Sequence, residues 1–350
     1  MKKLPVYPLV APWILLALLT GLLGGLSRIG WSIPATNLAG LHGFIMVGGF
    51  LGTVISFEKT ITLKHRAWLL VPLISGLSVL FMIVGNYQMA LGLQQAASLG
   101  LVIAFFKWLT ITKDHYYRIM IIGALSWMIA ISGLIAGRVI PSILPWWMAF
   151  ILFIIVGERL ELTKFLPTSK KAKSLLYLLL IVFLAGTFTT YHMPGKYLLG
   201  AALIGIGVWL IRNDIVKISL DKKGRHQYIA ILLLIGYIWL LITGFITTFF
   251  SIGGYMYGAM VHSFFLGFAF SMIFAHGPII IPGIIKQNYD LFSKSLYIWV
   301  FGFQLTLLLR LAGDFTSIEV LRLIGGMGNA IFILCFFVNI IVNVRIAAKK

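Results

Sequence analysis

Residues 38–57 read LAGLHGFIMVGGFLGTVISF, twenty positions with no Asp, Glu, Lys or Arg and one ionisable side chain, His42. A helix rises about 1.5 Å per residue, so a run of about 20 apolar residues crosses the roughly 30 Å hydrocarbon layer of a bilayer. The stretch reads as a transmembrane helix. Reading outward, further apolar runs fall near 7–28, 67–85, 89–109, 118–137, 141–157, 174–191, 197–211, 227–250, 257–280, 293–312 and 320–344, which makes twelve. The whole chain has 350 residues, 60% hydrophobic and 11% charged, with one cysteine and a mean hydropathy of +1.02. That composition excludes a secreted disulfide scaffold, a disordered tail and a water-facing enzyme. The expected fold class is an all-α polytopic membrane bundle of about 12 transmembrane helices.

Lys and Arg number 28 against 9 Asp and Glu, a net charge of +19. In a soluble protein such an excess would point to nucleic acid or an anionic surface. Here it has a simpler origin, and no nucleic-acid partner is implied. If the N-terminus, with Lys2 and Lys3, is cytoplasmic, the outer loops hold only Arg28, Arg138, Lys196, Arg310 and Arg322, leaving 23 of the 28 basic residues inside. The positive-inside rule then orients the chain as a multi-pass protein of the inner (cytoplasmic) membrane with both termini in the cytoplasm and lipid as its surroundings. The first apolar segment lacks a small-residue cleavage site and reads as a retained span. Cys335 lies in the last apolar run and reads as a small buried hydrophobe, with neither a disulfide nor a CxxC site available.

No linker or low-complexity tract divides the chain, so residues 1–350 read as a single transmembrane domain. One internal similarity is visible. Span two ends in Phe57-Glu58-Lys59, span six in Gly157-Glu158-Arg159-Leu160-Glu161, and span ten near His276; these ends lie 100 and 118 residues apart. Three four-helix units, each with a polar cluster at the inner end of its second helix, fit that spacing and give a pseudo-threefold arrangement.

An ionisable side chain in hydrocarbon is expensive, so each one is a functional candidate with a partner to be found. His65, His115 and His226 fall in or beside basic inner loops and His192 at an outer helix end; all four read as interfacial. His42 and His262 differ. Each lies five or six residues into a span that runs from outside to inside, roughly 7–9 Å below the outer edge. Two neutral imidazoles at one level are what an iron porphyrin needs for axial ligation. Gly43, Gly48, Gly49, Gly52 and Gly267 beside them would leave a face open to a flat macrocycle or to another helix. The plainer alternative is that these glycines pack helices and each histidine bonds a neighbouring carbonyl.

Heme propionates would need cations at the membrane edge, and Arg28, Arg310 and Arg322 stand at outer span ends, with interfacial anchoring or pairing to Asp314 and Glu319 as the alternative. His276 lies 14 residues beyond His262, about 21 Å down the helix and about 40° around it. It reads as a second metal or heme level, with copper near Glu58 or Glu158 as one form, or else as a proton-relay group. His276-Gly277-Pro278 and Pro282 mark where that helix is expected to end or break. Glu58, Glu158 and Glu161, beside Lys59 and Arg159, read either as interfacial ion pairs or, for Glu58 and Glu158, as a proton path from the cytoplasm.

With His42-Gly43-Phe44-Ile45-Met46 early in span two and His262 at the start of span ten, the chain resembles subunit I of the heme-copper oxidases and nitric oxide reductases. It is also similar to the NnrS family, heme- and copper-containing membrane proteins of nitric oxide metabolism. In NnrS-like proteins a Trp-His-x-His-Glu-Met segment and a His-Ala-x-x-x-Gly segment each open a helix; here the first is answered by His42-Gly43-Phe44-Ile45-Met46 with Gly49-Phe50 and the second by His262-Ser263-Phe264-Phe265-Leu266-Gly267. The resemblance implies that His42 and His262 carry a low-spin heme. The sequence departs from the oxidase pattern in span six, Trp146-Trp147-Met148-Ala149-Phe150, which has no histidine, and in span seven, where only His192 stands at the outer end. No binuclear copper centre is expected. The expectation is therefore a membrane protein that binds heme b, with copper as a further cofactor, and acts in electron transfer or nitric oxide and respiratory metabolism with a redox partner or respiratory subunit. The alternative is a proton-coupled secondary transporter; a structural subunit of a respiratory complex is a third reading.

Overall fold

Apolar side chains without charge force the backbone to satisfy its own hydrogen bonds in lipid, and a helix does this within one segment. The computed structural model describes residues 7–33, 36–189, 194–285, 287 and 289–348, and within them the chain is helical with no strand. Lys2, Lys3 and His192 lie outside the described residues. Among the described residues, eleven helical segments are long and apolar enough to cross a membrane. The contacts divide the chain into two compact units, Met1–Glu161 and Leu162–Lys350.

The first unit holds α1 (Tyr7–Arg28), a π-helical segment, π1 (Phe44–Leu51), that continues as α2 (Gly52–Ile61), then α3 (Leu70–Ile83), α4 (Tyr87–Thr112), α5 (Tyr116–Ile135) and α6 (Ile140–Leu162). Asn86 caps α4 by accepting from the Met89 amide at 3.2 Å. All eight residues of π1 are buried, as are Trp147 and the stacked pair Trp127 and Phe150. α1 packs against π1 and α3, and α4 lies between α3 and α5.

The second unit holds α7 (Lys170–Thr187), α8 (Gly195–Asn213), the short α9 (Val216–Leu220), α10 (Arg225–Phe249), α11 (Gly254–His262), a second π segment, π2 (Ser263–Phe270), that continues as α12 (Ser271–Ile285), then α13 (Ser295–Thr316) and α14 (Glu319–Ala347). α7 is the twelfth long helix; Lys170, Lys171 and Lys173 fill its first turn, and Ser169 caps it. α8 and α10 approach backbone to backbone, since a Cβ on Gly200 would lie 2.7 Å from the Gly244 carbonyl oxygen and one on Gly244 2.7 Å from that of Gly200. The expected helix end at Pro278 is corrected: α12 runs through Pro278 and Pro282 to Ile285. The lost backbone bonds at proline are tolerated in a membrane helix because neighbouring groups take them up. Leu15, Ile181, Ile298 and Val338 are exposed, and Leu305 is 68% exposed, an outward apolar surface suited to lipid and not to water. Cys335 is half-buried in α14, less enclosed than its sequence setting suggests.

Candidate functional site

His42 stands two residues before π1 and is half-buried. Its Nδ1 lies 2.8 Å from the carbonyl oxygen of Gly21 on α1. A carbonyl can only accept, so Nδ1 carries the proton. The ring rests on a glycine face of α1: a Cβ on Gly25 would fall 2.8 Å from Cε1 and 3.0 Å from Nδ1 of His42. Nothing larger than glycine fits there with the ring in this place. An imidazole held through Nδ1 by a carbonyl is the arrangement that fixes tautomer and orientation in metal-bound histidines.

His262 ends α11 and His276 lies within α12, and both are half-buried. Nδ1 of His262 bonds the Gly258 carbonyl at 2.7 Å, and Nδ1 of His276 bonds that of Met272 at 2.7 Å. All three membrane histidines thus share the Nδ1-protonated form. The alignment of His262 with His276 on one helix face does not carry over. π2 separates them, and one extra residue in a turn rotates the helix face by about 100°.

The glycines expected to leave an open face are filled by protein. Gly43 meets Ile140 and Trp147, Gly48 meets Gln94, Gly49 meets Val79, Gly52 meets Trp127 and Gly267 meets Trp239. They pack neighbouring helices. The glycines that shape the surroundings of an imidazole are instead Gly21 and Gly25, on the helix before it.

Two of the three arginines come together. Arg322 donates from Nε to Oδ1 of Asp314 at 2.7 Å, and its guanidinium lies 4.0 Å over the ring of Tyr255. Arg310, buried on α13 one turn before Asp314, acts on the same carboxylate. Asp314 also lines Gly258, the residue whose carbonyl holds His262. The pairing alternative therefore holds for Arg322. Arg28 is exposed at the end of α1.

In the first unit the carboxylates of α2 and α6 meet on one lysine. Lys59 on α2 bridges Glu58 at 3.0 Å and Glu158 on α6 at 2.7 Å, with its side chain 13% exposed. Its carbonyl accepts from Nε1 of Trp108 at 3.1 Å, and Glu161 accepts from the Tyr117 hydroxyl at 3.2 Å. The sequence ends Phe57-Glu58-Lys59 and Gly157-Glu158-Arg159, read as counterparts in separate repeats, meet in this one ion cluster. His65 caps the turn at Arg66 by accepting from the Ala67 amide, and His115 packs edge-on against Tyr116, both as interfacial residues do.

Two uncharged networks escape a search for ionisable residues. In the first unit, Thr53, Ser75, Ser78 and Gln94 bond one another beneath π1. In the second, Thr243 bonds Ser263 at 2.9 Å, while Trp239, Gln304 and Ser271 form a chain of 2.6 and 3.1 Å links. The signal for them is a glutamine within an otherwise apolar run, at Gln94 and Gln304.

Among the described residues no three of His, Cys, Asp and Glu gather as they would around a bare metal ion. An iron porphyrin brings its own equatorial ligands and asks the protein only for one or two imidazoles, which these histidines can supply.

Among the described residues, eleven membrane-length helices and an outward apolar surface define a polytopic helical membrane protein. The chain belongs to the family described as "Domain of unknown function (DUF8744)", whose model matches residues 7–345. No curated protein and no solved structure matches it.

Proposed function

We propose that the protein is a b-type heme protein of the inner membrane, with His42 and His262 as axial-ligand candidates, that carries electrons in nitric oxide or respiratory metabolism. The observation that carries this reading is the bond from His42 Nδ1 to the Gly21 carbonyl, made across helices to a residue 21 positions earlier. It fixes the ring against α1 and turns the Nε2 lone pair away from the bond, as a ligand requires. His262 is held in the same tautomer within its own helix.

Heme would supply one-electron chemistry. The chain's part is to hold the imidazoles, to exclude water with the buried apolar side chains of π1 and π2, and to provide cations for the propionates, of which Arg310 is the most enclosed. Glu58 and Glu158, gathered on Lys59, are the groups that would admit protons from the cytoplasm. Copper remains a proposal at His276, as do a redox partner and cytoplasmic placement of both termini.

A proton-coupled transporter is the second reading. It is favoured by two compact units, each with six long helices and one helix interrupted by a π segment, since interrupted helices line transport sites. The two readings separate on heme content. Full-length protein purified from heme-replete cells is expected to give a pyridine hemochrome of the b type, reduced by His42→Ala and by His262→Ala. Colourless protein would favour transport.

A further inference from the structure

The chain from Leu162 to Asn213 contains no Asp or Glu, and Lys164, Lys170, Lys171 and Lys173 fall in the connection from α6 and the first turn of α7. Phe165 stands among them 88% exposed, the most exposed of the large apolar side chains described, with Lys164 Nζ 5.1 Å from its ring centre. An aromatic ring set among cations is ill suited to open water and well suited to a membrane interface. α7 fixes the depth. Its 18 residues span about 27 Å, less than the roughly 30 Å of the hydrocarbon layer, so its first turn cannot stand clear of the lipid headgroups. Lys171 shares a helix face with Leu175, Leu178 and Ile181, all exposed. The face that meets acyl chains therefore ends, one turn on, in a cation at the level of the lipid phosphates.

Trp209 Nε1 donates to the Ala172 carbonyl at 2.7 Å and ties this turn to the end of α8. Beyond that end Arg212, Lys217, Lys222 and Lys223 are exposed, as is Ile218 on α9. Against them stand two carboxylates before Arg225, of which Asp214 is buried and Asp221 exposed. We propose that this basic edge of the second unit binds the phosphate headgroups of anionic phospholipids, with the Phe165 ring inserted between them. A juxtamembrane group of four to eight Lys and Arg is the size that holds anionic lipid. Lysines that only orient the chain during insertion need no bound lipid afterwards, and the two roles part on measurable lipid affinity. Free phosphate lacks the acyl chains that the exposed face of α7 meets. The inference does not rest on heme and holds in either reading of the function.

The test uses the full chain in mild detergent, titrated with phosphatidylglycerol or with phosphatidylcholine of the same acyl chains, with bound lipid counted by native mass spectrometry. Inorganic phosphate, added as a competitor, is the third arm. Saturable phosphatidylglycerol binding is expected, about tenfold tighter than that of phosphatidylcholine, weakened by NaCl and not displaced by equimolar phosphate. Lys170→Gln, Lys171→Gln and Lys173→Gln are each expected to lower the affinity about fivefold while the protein stays monodisperse with unchanged Tm. Lys64→Gln with Arg66→Gln removes two exposed cations from a different loop and is expected to leave the affinity as it was. For the ring, Phe165→Cys in a Cys335→Ser background carries an environment-sensitive fluorophore, whose emission is expected to shift to the blue in phosphatidylglycerol nanodiscs relative to phosphatidylcholine ones. Equal affinity for the two lipids, displacement by phosphate, or equal losses in the Lys64 and Arg66 control would overturn the proposal. Water-like emission from position 165 in both nanodiscs would overturn the placement of the ring.

Discussion

Gly25→Ala tests the histidine geometry at its tightest point. The added methyl would stand 2.8 Å from Cε1 and 3.0 Å from Nδ1 of His42, where carbon contacts normally settle at about 3.5–4.0 Å. The ring must retreat by about 0.7–1 Å, which stretches the 2.8 Å bond from Nδ1 to the Gly21 carbonyl to about 3.5 Å, beyond hydrogen-bond range. Losing that bond removes about 1 kcal/mol. Strain from overpacking adds about 1–3 kcal/mol, and the better helix propensity of alanine returns about 1 kcal/mol. The net loss of stability is about 1–3 kcal/mol. If His42 holds heme as proposed, the effect on heme affinity is larger, because disturbing the group that orients a metal-binding histidine lowers metal affinity by about 10–100-fold. The assay is heme titration of protein purified in detergent, with bound heme read optically and the Tm taken from the same samples. Gly92→Ala is the control: its Cβ meets nothing within 4 Å, so heme affinity is expected to stay at the wild-type value. Wild-type affinity and spectrum in Gly25→Ala would refute the argument that this face positions a ligand.

Lys59→Met leaves Glu58 and Glu158 facing one another and is expected to lower stability by about 2–4 kcal/mol, read as Tm in detergent. Adding Glu158→Gln should recover most of that loss, and simple additivity would show that the cluster is not coupled. Asp314→Asn strips the partner from Arg322 beside the buried Arg310, and a loss of about 3 kcal/mol is expected in the same measurement. Gly267→Ala places a methyl 2.4 Å from Cγ of Trp239; a loss of about 2 kcal/mol is expected, with partial recovery on adding Trp239→Phe. For orientation, single cysteines are introduced at Lys64 and at Arg138 after Cys335→Ser. A membrane-impermeant maleimide is expected to label position 138 and not position 64 from outside the cell, and the reverse pattern would invert the topology.

The apolar runs were sufficient to place the helices because a bilayer tolerates few other solutions. The run at 141–157 belongs to a helix that begins at Ile140 and continues past it to Leu162. The π segments were not legible. Phe44–Leu51 and Ser263–Phe270 carry no composition that separates an i→i+5 turn from a regular one, and the register of His276 relative to His262 is wrong without them. Proline misled at Pro278 because a rule learnt in water counts a lost backbone bond as fatal, whereas the packed helix continues. The site showed the same division. Charged partners could be anticipated from their positions at helix ends, as with Asp314 and Arg322. The carbonyl of Gly21 and the neutral cluster beneath π1 could not, since backbone acceptors and hydroxyl networks depend on which helices touch.

Whether the membrane-embedded imidazoles hold heme b, as proposed, is tested most directly by the reduced-minus-oxidised optical spectrum of the wild-type protein purified in mild detergent from heme-replete cells, with heme counted per chain. A b-type spectrum at one heme or more per chain is expected, diminished in His42→Ala. A colourless, correctly folded protein with no iron by elemental analysis would contradict it.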